Sequence, residues 1–152
     1  MARERGEKTV AVNRKARHDY FVEDSFEAGL VLHGTEVKSM RLGRVSLKES
    51  FCAVKDDELF AFGMHISPYE QGNIHNKDPM RPKKLLMHRV QISRLGGLVQ
   101  RQGYTLVPLK IYLRDGHMKM ELGLCKGKKM HDKRDDDAKR SAQRDIERAM
   151  KA

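Results

Sequence analysis

Basic side chains alternate with ring-bearing ones near the start of the chain, over residues Asn13–Tyr20. Guanidinium and ammonium groups neutralise phosphates, imidazole and phenol rings stack on unpaired bases, and an amide reads a base edge. The segment therefore predicts contact with a nucleic acid, although a solvated basic segment ahead of a strand would have the same composition. The candidate RNA-binding residues here are Asn13, Arg14, Lys15, Arg17, His18 and Tyr20.

A second basic segment, residues 126–152, has no proline, aromatic residue or valine and holds ten Lys/Arg and six Asp/Glu. It has too little apolar surface to offset the entropy of ordering it, so we expect a tail that is disordered alone. Ala138, Ala142, Ile146 and Met150 nevertheless recur at every fourth position. That narrow stripe predicts a helix that forms on a large charged partner.

The excess positive charge lies at the two ends of the chain. The 152 residues have a formal net charge of +10, of which residues 1–17 and residues 126–152 each contribute +4. Residues 18–125 contribute only +2. A nearly neutral centre with two basic ends predicts a domain that docks on a polyanion and wraps around it.

Cysteine usage and hydropathy predict a soluble protein of the cytoplasm. Cys52 and Cys125 are too few for a disulfide framework and lie in apolar runs, so we expect buried thiols in a reducing compartment. Residues 1–9 contain no apolar segment typical of a signal peptide, and mean hydropathy is −0.70. No run approaches the roughly 20 apolar residues of a membrane span, so no membrane partner is expected.

Short apolar runs predict strands at 10–12, 26–32, 50–54, 59–62, 104–113 and 118–125. Residues 34–41 predict a short helix with Thr35 as N-cap, and residues 85–102 a longer one with a break at Gly96-Gly97 and a stop at Gly103. Without alternating strands and helices, the pattern favours a mainly β fold, an OB-like antiparallel barrel with flanking helices. We expect a flexible arm at 1–9, the barrel at 10–125 and the tail at 126–152.

Catalytic and metal-binding patterns are weak. Asp56-Asp57-Glu58 lies on a predicted hairpin turn, where solvated carboxylates are ordinary, and the histidines and cysteines lack metal-ligand spacing. We therefore expect no enzyme activity, no metal and no cofactor. The alternative is a small hydrolase that uses His75, Asp78 and Arg81 in the irregular 67–82 loop.

Ordered motifs from about Val12 to Arg134 resemble the SsrA-binding protein family, SmpB, whose members are partners of transfer-messenger RNA. The resemblance depends on these motifs together and in this order, and the 67–73 loop matches none of them. The motifs are Asn13–His18, Glu27–Leu32, Gly34–Arg41, His75, Asp78-Pro79, Arg81, Lys84–Leu86, Gly103–Thr105 and Gly127–Arg134.

The resemblance implies an OB-like barrel that binds the tRNA-like domain of transfer-messenger RNA, around its D-loop and elbow, in place of an anticodon arm. It implies a tail that enters the decoding centre and the empty messenger channel of a stalled ribosome, and a monomer when bound to RNA. RNA-contacting positions that match the family are Asn13, His18, Tyr20, Glu27, Leu86 and Lys119. Polar positions of the predicted short helix, Glu36, Lys38 and Arg41, are added as RNA-binding candidates.

The tail motif matches at Gly127, Lys128, Lys129, His131, Asp132, Lys133 and Arg134, and Ile146 represents the apolar stripe. A general basic RNA-binding or ribosomal protein on an OB barrel is the second interpretation. Such a protein would not need a tail that becomes helical on its partner.

Overall fold

The computed structural model describes residues 7–128 and 130–151, without the side chains of residues 73–75, 130–132, 136 and 151. Nine strands and four helices follow one another over the described residues. The strands are β1 Glu7–Val12, β2 Tyr20–Leu30, β3 Val45–Ser46, β4 Phe51–Lys55, β5 Glu58–Phe62, β6 His65–Ile66, β7 Lys83–Leu86, β8 Thr105–Arg114 and β9 His117–Gly127. The helices are α1 Arg14–Asp19, α2 Gly34–Arg41, α3 Arg89–Gln102 and α4 Met130–Lys151, with a 3₁₀ segment at Glu70–His75.

Six strands form a closed antiparallel ring in the order β8, β4, β5, β7, β2, β9 and back to β8. One edge of β8 is shared, because β1 pairs with its second half while β4 pairs with Leu106 near its start. Closure leaves few unpaired edges, which suits a domain of this size. The predicted mainly β barrel with flanking helices is confirmed.

Side-chain alternation along the strands fills the barrel with apolar residues. Met118, Met120, Leu122 and Leu124 of β9 all belong to the core, as their spacing predicts. Met40 of α2 and Leu95 of α3 are buried in the same core, so the two helices pack onto the ring of strands.

A second, smaller core lies on the outer surface of β8 and β9, where α1 packs. Ala16 of α1 meets Val107 and Leu109 of β8 and Cys125 of β9. A Cβ atom at Gly123 would come within 2.9 Å of the Leu109 side chain, so glycine permits this close packing. The two cysteines are free and buried, as predicted, and burial raises the pKa of Cys125 to about 11.

Several local predictions are wrong at their boundaries. β1 begins at Glu7, so residues 7–9 belong to a strand and not to the predicted arm, whose other residues lie outside the described part of the chain. The N-cap of α2 is His33 and not Thr35. The unpredicted helix α1 begins after Asn13, whose side-chain oxygen accepts a hydrogen bond from Ala16 N at 3.2 Å.

The predicted helix over 85–102 starts too early. Lys83–Leu86 forms β7 instead, because this segment pairs with β2 on one side and β5 on the other. The helix continues through Gly96-Gly97 without the predicted break. A Cβ at Gly96 would lie 3.5 Å from Val54, so a small residue lets α3 approach β4 closely. Gly103 ends the helix with φ of 70°, as predicted.

α4 is the helix that the apolar stripe predicts, and most of it projects from the barrel. Its stripe is exposed, with Ile146 at 54% and Met150 at 81%. The expected disorder of the free tail stays a prediction. Within the described residues, no helix is long and apolar enough to cross a membrane.

Replacing Met40 by Ala should destabilise the protein by about 2–5 kcal/mol, because this side chain is fully buried and its loss leaves a cavity. Leu42→Ala is the matched control at the end of the same helix, where the leucine is 59% exposed, and should change the free energy of unfolding by no more than about 0.5 kcal/mol. Urea unfolding measures both variants. Equal losses of stability would contradict the assignment of Met40 to the core.

Candidate RNA-binding surface

Four neighbouring strands place Tyr112, Lys119, Gly29 and Leu86 in one row across the outside of the barrel. Tyr112 of β8 pairs with Lys119 of β9, Lys119 with Gly29 of β2, and Gly29 with Leu86 of β7. We call the outward-facing residues of this region the strand face. It consists of Glu27, Gly29, Leu86, Lys110, Tyr112, Arg114, Lys119 and Glu121.

Leu86 is 54% exposed although it lies beside a well-packed barrel. A Cβ at Gly29 would lie 3.4 Å from Leu86 Cβ, so the absence of a side chain there leaves room for the leucine. Lys119 lies on the other side of Gly29. An exposed apolar side chain near an ammonium group suits a surface that meets both a base or ribose and a phosphate.

Glu27 connects the strand face into one network. Its Oε2 accepts hydrogen bonds from the Tyr112 hydroxyl at 2.5 Å and from Arg114 Nη1 at 2.5 Å. Arg114 also pairs with Glu7 of β1 and lowers the pKa of that carboxyl. Glu27 therefore holds an arginine in place.

The Tyr112 ring lies beneath two cations, since Lys110 Nζ and Arg114 Cζ each stand 5.2 Å from its centroid. Burial, with the hydrogen bond to Glu27, raises the pKa of Tyr112. Lys110, Tyr112 and Arg114 are absent from the predicted site. Their alternation along one strand is the signal that could have found them, because residues at a spacing of two share a face.

The basic segment at the start of the barrel forms α1, which exposes Arg14, Lys15 and Arg17. Tyr20, which follows the helix, packs half-buried against the second core. Three cations of α1 therefore face the solvent, and α1 lies on the outer surface of β8 and β9, the strands that also carry part of the strand face.

Asn13 has a structural role in this chain. It is 8% exposed, and its Nδ2 donates to Pro108 O at 2.9 Å and to Leu47 O at 3.3 Å. Both amide hydrogens are thereby used within the protein. The predicted contact of this amide with a base edge stays a prediction.

His18 lies between two carboxylates. Its Nδ1 is 3.0 Å from Asp19 Oδ1, and its Nε2 is 3.1 Å from Asp137 Oδ1 of α4. The hydrogen bonds to Asp19 and Asp137 raise the pKa of His18. The predicted stacking of this ring on a base stays a prediction.

Glu36 of α2 is buried, whereas Lys38 and Arg41 of the same helix are exposed. Glu36 Oε1 accepts from Arg81 Nη2 at 2.6 Å and from His33 N at 2.9 Å. The carboxylate thus stabilises the start of α2 and fastens the loop between β6 and β7 to it. Its predicted RNA contact is untested, and burial turns it away from any partner outside.

Two of the three candidate hydrolytic residues, Asp78 and Arg81, have structural partners within the described part of the chain. Arg81 is committed to Glu36, and Asp78 Oδ1 accepts from Met80 N at 2.9 Å in a local turn. The side chain of His75 lies outside the described part of the structure. Among the described residues, no group of three or more His, Cys, Asp or Glu could hold a metal ion.

The first two residues of the predicted 126–152 tail belong to β9, which ends at Gly127, and residues after the strand contact α1. Lys128 Nζ donates to Arg17 O at 2.9 Å, and its ammonium stands 5.0 Å from the Phe21 ring centroid. Lys133 pairs with Asp19 at 3.4 Å, while Arg134 is exposed. Lys129 and the side chains of His131 and Asp132 lie outside the described residues.

Comparison with known proteins places the chain in a family. The family model described as SmpB protein matches residues 10–152. An SsrA-binding protein of Acetivibrio thermocellus is 60% identical over 151 residues, which cover 99% of this chain and 97% of the relative. An SsrA-binding protein of Clostridium beijerinckii is also 60% identical over 151 residues, with the same coverage of both chains.

A solved structure described as "tmRNA-SmpB: a journey to the center of the bacterial ribosome" contains a similar chain. The two match with a TM-score of 0.67 and 48% identity, over 81% of this chain and 87% of the other. The fold, the motifs and these relatives agree over nearly the whole length. The chain belongs to the SmpB family.

Proposed function

We propose that this chain binds the tRNA-like domain of transfer-messenger RNA and delivers that RNA to stalled ribosomes for trans-translation. The observation that supports the proposal most directly is the row across the strand face. There, Leu86 and Lys119 lie on either side of Gly29, with Glu27 two residues away along β2. The relatives named SsrA-binding proteins support the same partner.

The barrel holds its RNA by shape and not by base-pair sequence. A folded RNA offers phosphates, ribose hydroxyls and the unstacked bases of its loops. Lys119 neutralises a phosphate, Leu86 packs on a base or ribose, and the network around Glu27 keeps Arg114 in position. In this proposal the barrel stands where a transfer RNA has its anticodon arm.

The tail distinguishes stalled from translating ribosomes. At 1.5 Å per residue, the 22 residues of α4 span about 33 Å, enough to follow a channel lined by ribosomal RNA. Messenger RNA occupies the same space, so only an empty channel admits the helix. We assign Gly127, Lys128, Lys129, His131, Asp132, Lys133 and Arg134 to the decoding centre and Ile146 to the channel.

The second half of α4, which is exposed, supports a helix that is stabilised by that channel. In the proposed function the chain acts by binding alone, without cofactor or metal. It works in the cytoplasm and is a monomer when bound to its RNA. A general basic RNA-binding or ribosomal protein is the second candidate. It would need neither the motif after β9 nor the stripe on α4.

Replacing Lys119 by Gln should weaken binding of the tRNA-like domain, because one phosphate contact is lost. The slope of log affinity against log salt should become shallower by about 0.7–0.9. Filter binding at four salt concentrations measures this. Lys55→Gln, at the end of β4 beside the exposed hairpin turn, is the matched charge control and should leave the slope unchanged. Identical slopes for all three proteins would remove Lys119 from the interface.

Ending the chain after Lys126 should leave RNA binding nearly intact and abolish rescue of stalled ribosomes, since the barrel and the tail have separate tasks. Binding is measured with the isolated tRNA-like domain, and rescue with a messenger that lacks a stop codon in cell-free translation. Loss of both activities together would rule out the division of labour.

Ile146→Pro should strongly reduce rescue, whereas Ile146→Leu should preserve it. Proline inside a helix costs about 3 kcal/mol, while leucine keeps both the helix and its apolar stripe. The same cell-free rescue assay compares the two variants, with RNA binding as the control for folding. Equal rescue by both would show that a helical tail is not required.

A further inference from the structure

An open cleft of about 540 Å³ lies between the start of α2 and the loop that joins β6 to β7. Thr35 and Lys38 line it from α2, and Tyr69, Gln71, Gly72 and Lys77 line it from the loop. The volume falls within the usual range of small-molecule sites, about 300–1,000 Å³. The loop is part of the 67–82 segment, whose first residues match no family motif.

The loop side of the cleft is held in shape by specific bonds. The Asn76 amide bridges the loop, because its Oδ1 accepts from Tyr69 N and its Nδ2 donates to Tyr69 O, both at 2.8 Å. A Cβ at Gly72 would lie 2.8 Å from the Thr35 methyl group, so only glycine lets the loop approach α2 this closely.

Two cations, half-buried Arg81 and buried Lys83, fasten the other end of the loop. Arg81 binds Glu36 of α2 at 2.6 Å, and Lys83 Nζ donates to Pro79 O at 2.8 Å and to Met64 O at 2.7 Å. Burial lowers the pKa of Lys83 to about 8, against the opposing charge of Glu36. The loop is therefore anchored at both ends, and the cleft does not depend on a chance arrangement of surface side chains.

The residues that line the cleft carry positive charge and no carboxylate. Lys38 and Lys77 are exposed, and within the described part of the chain neither forms an ion pair. The Lys38 ammonium stands 5.5 Å from the Tyr69 ring centroid. The cleft also opens at the N-terminal end of α2, where the helix dipole is positive.

From this combination we infer that the cleft binds one unpaired nucleotide of an RNA strand. The base stacks on Tyr69, the flanking phosphates meet Lys38 and Lys77, and Gln71 offers hydrogen bonds to the base or ribose. An aromatic ring with nearby cations is the usual platform for a single-stranded base. A plain anion site would not need the ring, and an apolar ligand would not need two lysines.

This cleft is a second RNA contact, apart from the strand face. Gly29 of the strand face and His33 at the cleft are four residues apart, about 13 Å if the chain is extended. The inference goes beyond the proposed delivery of transfer-messenger RNA, because it holds for whichever RNA places an unpaired nucleotide here.

The test uses the full chain labelled with ¹⁵N and three probes, namely a single-stranded octamer of adenylate, AMP and inorganic phosphate. We expect the octamer to shift the amide signals of Gly34, Thr35 and Gly72 saturably, AMP to do so more weakly, and phosphate to have the least effect. Tyr69→Leu should weaken the octamer response at least about fivefold, whereas Tyr69→Phe, which keeps the ring, should retain it.

Lys77→Gln should also weaken the octamer response at these amides, while Lys55→Gln, remote on the β4–β5 hairpin, should not. Unchanged signals elsewhere in each spectrum verify that the variant is folded. Because the octamer replaces transfer-messenger RNA, failure of the proposed delivery function would leave this result intact.

Four results would overturn the inference. If octamer shifts occur only on the strand face, or persist equally in Tyr69→Leu, the cleft does not hold a stacked base. If AMP binds as tightly as the octamer, the site takes a free mononucleotide and not an RNA strand. If phosphate alone reproduces the octamer response, the cleft is only an anion site.

Discussion

The long hairpin of β8 and β9 is buried on its inner face and, where α1 packs, on its outer face as well, and the ring of strands closes through it. Its inner face supplies Ile111, Met120 and Leu122 to the barrel core, while its outer face packs against α1 through Leu109 and Cys125. A slip of one residue would bring Lys110, Lys119 and Glu121 to the inner face, so the difference between the two faces holds the register firmly. β1, β2 and β4 then pair along its edges.

That register also decides which polar residues meet on the outside. Lys119 lies between Tyr112 and Gly29 because β9 pairs with β8 on one side and β2 on the other. The cations of this region are balanced by carboxylates, as in the network of Arg114 with Glu27. Exposed ion pairs of this kind are worth no more than about 1 kcal/mol, so an RNA phosphate competes for the arginine at small cost. The network therefore orients Arg114 and still leaves it able to bind an RNA phosphate.

The N-terminal basic segment and the tail meet at α1. Asp19 pairs with Lys133, His18 lies beside Asp137, and Lys128 binds the backbone at Arg17. Residues assigned to the RNA therefore lie in contact with residues assigned to the ribosome. Beyond this contact α4 is exposed, in keeping with a segment that is stabilised by a partner outside the chain.

The local sequence pattern was sufficient to predict much of the barrel. Alternation identified the inward face of β9, the Lys55–Glu58 hairpin between β4 and β5 was found from its flanking apolar runs, and Gly103 ended the helix as expected. It failed at Leu85 and Leu86, whose apolar spacing continues that of α3 but whose backbone pairs with β2 and β5. Tertiary pairing overrides local propensity there, because both edges of β7 are satisfied by strands distant in sequence.

The candidate site also combines features that the sequence predicts with features that only the fold decides. Residue types alone identified the cations of α1, the motif after β9 and the apolar stripe of α4, since charge and periodicity are properties of a continuous segment. Only the folded barrel placed Leu86 and Lys119 on either side of Gly29, buried Glu36 against Arg81 and used the amide of Asn13 as a helix cap. Those roles depend on which strands become neighbours and which side chains lose contact with water, and closure of the barrel decides both.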